Sequence, residues 1–316
     1  MLIRRRVLPL TVIAVAAALG AAALAGVSVA APSRAAAPPS AEALLSRSAA
    51  ALKKATSFHF DMAAHTAARS DGSLSAAQLK KAVQPVDITA SGDLSDGATV
   101  LAGKMASSGQ TIAAELRAGG TELYINFLGT WYGTKDTKSK SSKDSGLSID
   151  LSTKDVNNLL SDLLKNGLDG KVTEGPDIDG VATWKVTGSF DAAALAKAGK
   201  KTGASIDTTG LSQLADKADV TLLIGRKDEL LRRMDVVESL SGPDLTKAKS
   251  TTGGLVPLPA AGTKGVKSVS VSLTIELSKF GQKVSLERPS SFKPLEKMIE
   301  ALLGGALSPT KTTKTA

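Results

Sequence analysis

Strict period-two alternation is the feature that most constrains this chain. Val269, Val271, Leu273, Ile275 and Leu277 alternate with Ser268, Ser270, Ser272, Thr274 and Glu276. Successive strand side chains point to opposite sides, so the pattern gives one apolar and one polar face. Phe58, Phe60 and Met62 repeat it against His59 and Asp61, and Val86, Ile88 and Ala90 against Asp87 and Thr89. So do Leu123, Ile125 and Phe127, before a turn at Leu128-Gly129-Thr130, and Ala182, Trp184 and Val186. Val220, Leu222 and Ile224 lead through Arg226 to Glu229 into a run from Leu230 to Leu240. With stretches near 99–105 and 110–118 the expectation is about ten strands. Short connections imply antiparallel neighbours, and a single apolar face implies a sheet covered on one side.

Other segments carry the helical period. Ser40 fits an N-cap, with Glu42 near the start of its helix, Lys53 and Lys54 near the end, and Leu45, Ala49 and Leu52 on one face. A second helix is expected from about Thr153 to Asn166, opened by Ser152 and Asp155 and closed by Gly167. Its stripe is Val156, Leu159, Leu160, Leu163 and Leu164. A third opens with Pro294 as first helical residue and carries Leu295, Met298, Ile299, Leu302 and Leu303 up to Gly304-Gly305. A weaker one follows Asp191. The expected class is α+β: one strongly curved antiparallel sheet with amphipathic helices on its apolar face. Residues 199–210 and 241–265 read as long loops that separate no second core, so 40–306 is expected to be a single domain.

The amino terminus reads as an export signal. Arg4, Arg5 and Arg6 precede an apolar run from Val7 to Ala31, and Ser28-Val29-Ala30 fits a small-x-small cleavage site. Residues 1–30 are therefore a signal peptide, or a signal-anchor if retained, since the run can also span a bilayer. Residues 31–39 form a tether and 307–316 a polar tail. The protein is expected outside the cytoplasm, in the cell envelope or secreted, with membrane attachment if the segment stays uncleaved. Leu24-Ala25-Gly26 is what precedes the acylated Cys of a bacterial lipobox, but Val27 stands in the Cys position and has no thiol to acylate.

Composition excludes much chemistry. The chain has no Cys and two His, which removes disulfides, thiol catalysis, Cys-ligated zinc and three-His metal sites. Two Trp, two Tyr and six Phe in 316 residues argue against base stacking, so no nucleic-acid partner is expected. Net charge is +9, and loss of residues 1–30 lowers it to +6. The charge is dispersed and allows contact with an anionic membrane surface. Its densest cluster, Lys135 to Lys143, reads as a solvated connector.

No catalytic set emerges, and neither enzyme activity nor a cofactor is expected. His59 and His65 would flank Asp61 on one side of a strand, yet six residues span roughly 20 Å, too far for shared metal ligation. Ser290-Ser291-Phe292-Lys293 and Lys201-Thr202-Gly203 resemble motifs of penicillin-recognising enzymes, but their order is reversed and Ser-Asp-Asn is missing. Gly167 to Thr173 and Gly262 to Ser268 lack the spacing of a phosphate loop.

What remains is apolar surface. A sheet faced by small-residue helices either closes a solid core or leaves a cavity. Withdrawing a sixteen-carbon chain from a membrane costs about 12 kcal/mol at about 0.8 kcal/mol per methylene, so a carrier must offer comparable apolar area. The alternation nominates Phe58, Phe60, Met62, Leu123, Ile125, Phe127, Val220, Leu222, Ile224, Val271, Leu273 and Ile275 as its lining.

Several runs resemble the actinobacterial LppX/LprAFG lipoprotein family. They are Ala43-Leu44-Leu45 to Phe58-His59-Phe60-Asp61, and Thr121-Glu122-Leu123-Tyr124-Ile125 before Gly129-Thr130-Trp131-Tyr132. Ile178 to Gly188, Val220 to Gly225 with Leu230 to Met234, and Leu277 to Gly281 with Pro289 and Lys293-Pro294-Leu295 complete them. The resemblance covers most of residues 41–303, and its motifs are structural. It implies an antiparallel half-barrel like that of LolA-type carriers, with helices across the concave side. It also implies a hydrophobic cavity for acylated lipids or lipoglycans and no catalysis. Val27 then marks a lipobox without its Cys. The expected protein is a monomeric carrier that moves such lipids within the envelope. The alternative is a sensor or regulatory module of the same fold that binds a membrane protein.

Overall fold

The computed structural model describes residues 38–83, 85–107, 110–120, 122–134, 168–191, 217–241 and 265–298. The export segment, the helices expected over 153–166 and after Asp191, nearly all of the two long loops and the polar tail lie outside them. In chain order the strands are β1 (Ser57–Ser70), β2 (Val86–Ser95), β3 (Ala98–Ser107), β4 (Gln110–Gly119), β5 (Glu122–Phe127) and β6 (Thr130–Thr134). They continue with β7 (Leu168–Glu174), β8 (Thr183–Asp191), β9 (Lys217–Gly225), β10 (Leu231–Ser241), β11 (Val266–Ser278) and β12 (Lys293–Pro294). All belong to one open sheet of order β12-β6-β5-β4-β3-β2-β1-β11-β10-β9-β8-β7. Residues 168–174, phosphate-loop-like in sequence, are strand β7.

Among the described residues the sheet holds twelve strands rather than about ten, and one pairing departs from the antiparallel expectation. β12 runs parallel to β6, through Lys293 opposite Tyr132 and Pro294 opposite Gly133. Pro294 therefore ends an edge strand instead of opening a helix, and helical backbone begins at residue 295. A proline fits there because an outer strand needs no outward N–H.

Register puts the alternating residues on one face. Met62 lies opposite Ile275 and Ala90, Ile275 opposite Met234, Met234 opposite Leu222, and Leu222 opposite Val186. In the other direction Phe60 lies opposite Gly92, and Gly92, Leu101, Leu116, Ile125 and Tyr132 follow strand by strand. Gly92 is a close-approach position. A Cβ there would stand 2.3 Å from the Val100 carbonyl oxygen and 2.7 Å from the Leu101 side chain.

Helix α1 (Ala41–Lys53) closes one end of this face. The Ser40 hydroxyl accepts from the Ala43 N–H, and Glu42 and Lys53 suit the two ends of the helix dipole. Leu44, Leu45, Ala49 and Leu52 pack with Phe58, Phe60, Leu94 and Leu277 in the main core. Helix α2 (Ala76–Ala82) closes the far end of β1, in a stretch where the sequence pattern showed no element. Ser75 and Gln78 form a reciprocal capping box, and Leu79 and Ala82 pack against Val83, Val266 and Val269. No helix among the described residues is long and apolar enough to cross a membrane.

Residues 279–298 form a clasp. Leaving β11, the Gly281 N–H donates to the Ser57 carbonyl, and the Glu287 carbonyl accepts from Arg117 on the polar face. Arg288 bonds Glu122 at 2.7 Å, and Phe292 lies on Tyr124. The chain then rounds the β6 edge as β12 and places Leu295 and Met298 against Leu123, Ile125 and Tyr132 on the apolar face.

Candidate functional site

Every residue nominated from the alternation projects from the same apolar face. Phe58, Phe60, Met62, Val220, Leu222, Ile224 and Ile275 are buried in the main core, with Leu273 packed against it. Leu123 and Ile125 belong to a separate cluster under the clasp, with Phe127 against it. Val271 is half-buried. The face thus has two different ends and a middle. Under α1 the side chains are sealed, and Phe58, Phe60, Leu222 and Ile224 are at most 1% exposed. Toward α2 lies a band of half-buried apolar groups: Ala64, Met105, Ile112, Val236, Val271 and Leu273. Two polar groups enter that band. Thr66 and Glu238, both buried, lie opposite Val271 from the two flanking strands. Alternation alone did not reveal them, because each sits singly in an otherwise apolar register.

The polar face carries a trough of about 850 Å³ running across β11, β1, β2, β3, β4 and β5. Its floor is alanine and glycine, including Ala63, Ala102, Gly103 and Ala113, and its walls are Asp61, Thr89, Lys104, Glu115, Asn126 and Glu276. Of the nominated residues only Met62 touches it. Small residues on six strands create the hollow together, so no local motif announces it. A hydrocarbon chain here would lie beside ionised groups and open water, which offers little shelter.

At the trough margin the His59 Nδ1–H donates to Asp93 at 2.8 Å, and Ser91 Oγ is 3.4 Å from Nε2. These are the residue types of a hydrolase triad. Asp61 Oδ2 lies 3.3 Å from the same Nε2, so the nitrogen that would accept the serine proton faces a carboxylate at least as near. The strand N–H groups around it are engaged in the ladder, so no oxyanion pocket accompanies the set. The arrangement is a cross-strand hydrogen-bonded pair. His65 repeats it with Asp87 at 2.5 Å. The two histidines thus pair singly across β1 and β2, and no cluster of three His, Asp or Glu placed to hold a metal occurs among the described residues.

A second cleft of about 260 Å³ lies between the clasp and the sheet, where Arg117, Lys279 and Lys283 meet Asp93 and Glu287. Beside it Tyr124 is fully buried. Gly133 permits this, since a Cβ there would stand 2.5 Å from the Tyr124 ring. Burial, and then the neighbouring Glu122 carboxylate, push the phenol above its ordinary pKa. Ser290 to Lys293 lies in the part of the clasp before its helical backbone, so its Ser-x-x-Lys spacing does not open a helix. The Lys201-Thr202-Gly203 motif falls outside the described residues, and of Gly262 to Ser268 the described part, residues 265–268, is a turn and the start of β11.

No protein-family model matches the chain, and no curated protein matches its sequence. Among solved structures it is similar to LprF from Mycobacterium bovis, at 16% identity and TM-score 0.46 over 81% of this chain and 100% of that one. It is also similar to the lipoprotein LppX of Mycobacterium tuberculosis, at 15% identity and TM-score 0.37 over 78% and 98%. A LolA-superfamily protein from Nitrosomonas europaea follows at 12% identity and TM-score 0.22 over 77% and 95%.

Proposed function

We propose that this protein is an exported, non-enzymatic carrier that holds the acyl chains of a lipid or lipoglycan against the apolar sheet face. The observation that carries the reading is the half-buried band of Ala64, Met105, Ile112, Val236, Val271 and Leu273, lying between the sealed ends under α1 and α2. Apolar side chains that remain partly open beside a continuous core form a surface on which hydrocarbon replaces water. In this reading the apolar face is the concave one, crossed by helices. Residues 40–306 are the carrier domain, and 1–30 direct it out of the cytoplasm. Phe58, Phe60, Met62, Leu123, Ile125, Phe127, Val220, Leu222, Ile224, Val271, Leu273 and Ile275 supply the wall, with the half-buried members touching the ligand first.

The test is the lipid content of protein purified from its own envelope. Native mass spectrometry is expected to show the chain plus one or more acylated species, recoverable by organic extraction. A single lipid-free mass, with no uptake in a transfer assay, contradicts the proposal.

A further inference from the structure

The β5–β6 connection is a two-residue turn, Leu128-Gly129, closed by Phe127 opposite Thr130. Both turn residues have positive φ, +50° and +81°. Turns of this kind default to Asn-Gly, because a side chain larger than asparagine is disfavoured in the left-handed region. Here the first position holds leucine, and this residue is 66% exposed, so packing within the chain does little to offset the strain. The other exposed large hydrophobic among the described residues, Val237, sits within β10, where a β-branched residue suits the backbone. Leu128 has neither excuse.

Its surroundings indicate what it meets. Among the described residues β5 pairs with β4 only over Ala114 to Gly119, so the turn ends beside residue 113. Next to it on the apolar face are Phe127 and Ile112, both half-buried. On the other side of the hairpin Trp131 is half-buried, with the Arg117 guanidinium 4.7 Å from its ring centroid. An aliphatic tip backed by Phe, then by Trp and Arg, follows the polarity gradient of a bilayer from acyl chains to headgroups.

We propose that the Leu128-Gly129 turn is the membrane-contact point of this protein, inserting Leu128 into the outer layer of a lipid bilayer beside the half-buried apolar band. This rests on the reading of that band as the hydrocarbon site, and it places loading at one corner of the sheet.

The test uses the full chain carrying Trp184→Phe, which leaves Trp131 as the one tryptophan. It is mixed with vesicles of brominated phosphatidylcholine and phosphatidylglycerol, whose bromines quench indole at close range. Trp131 emission is expected to fall about twofold, and Leu128→Asn is expected to remove most of that quenching. Asparagine suits φ +50°, so this variant should melt at the same temperature or higher. Absent quenching, or equal quenching in both proteins, overturns the proposal. So does a Leu128-dependent dimer in size-exclusion chromatography that accounts for the protected tip. The reading of the apolar band fails separately, through Trp184 and a monomeric acyl probe, so the two failures are distinguishable.

Discussion

Phe292 meets Tyr124 edge-on, with ring centroids 5.0 Å apart. This contact fastens the clasp to the polar face just before β12 pairs with β6. Aromatic pairs contribute about 0.5–1.5 kcal/mol beyond area burial. Phe292→Ala is expected to lower unfolding free energy by about 1–3 kcal/mol. Urea titration followed by circular dichroism checks this, and an unchanged midpoint would show that the clasp is held by Arg117 and Arg288 instead.

The same phenol sets an alkaline limit. Its pKa is raised in the fold by burial and by Glu122, so the unfolded chain loses that proton first. The contribution is complete below about pH 10, the unfolded value, and is lost as pH rises toward the higher folded value. Thermal melts across this range are expected to show falling stability, and Tyr124→Phe should flatten the decline. Equal slopes for the two proteins would place the cause elsewhere.

Gly92 and Gly97 make a matched pair. A methyl at Gly92 collides with backbone at 2.3 Å, whereas a methyl at Gly97 meets nothing within 4 Å. Gly92→Ala should therefore destabilise by at least about 2 kcal/mol, and Gly97→Ala by less than about 0.5. Chemical denaturation of the two variants side by side decides it.

The two faces make opposite predictions for ligand uptake. Leu273→Asp puts a charge in the half-buried band and is expected to abolish uptake of an acyl probe, provided circular dichroism shows the sheet intact. Ala102→Ser alters the trough floor and should leave uptake unchanged. Loss of uptake in the trough variant alone would move the ligand to the polar face.

Much of this was legible from period two, because register in a one-sided sheet is fixed by which face is buried. The residues from Phe58 to Ile275 nominated by alternation all share one face for that reason. Helix α1 was legible from its Ser40 cap and its leucine stripe. Helix α2 was not, because Ala76 to Ala82 carries one leucine in seven residues and is anchored by its Ser75–Gln78 box rather than by a stripe. β12 escaped because a two-residue strand has no period. The trough and the His59–Asp93 and His65–Asp87 pairs depend on which strands become neighbours, and alternation within one strand carries no such information.

The chain places one tryptophan on each face: Trp184 packs against the main apolar core, and Trp131 pairs with Asn126 on the polar side. The most direct measurement is quenching of Trp184 in the Trp131→Phe variant by a brominated fatty acid kept below its micelle concentration. Saturable quenching of Trp184, with Trp131 unaffected in the complementary variant, is the predicted result. Quenching of Trp131 alone, or of neither ring, contradicts a carrier that shelters hydrocarbon on its apolar face.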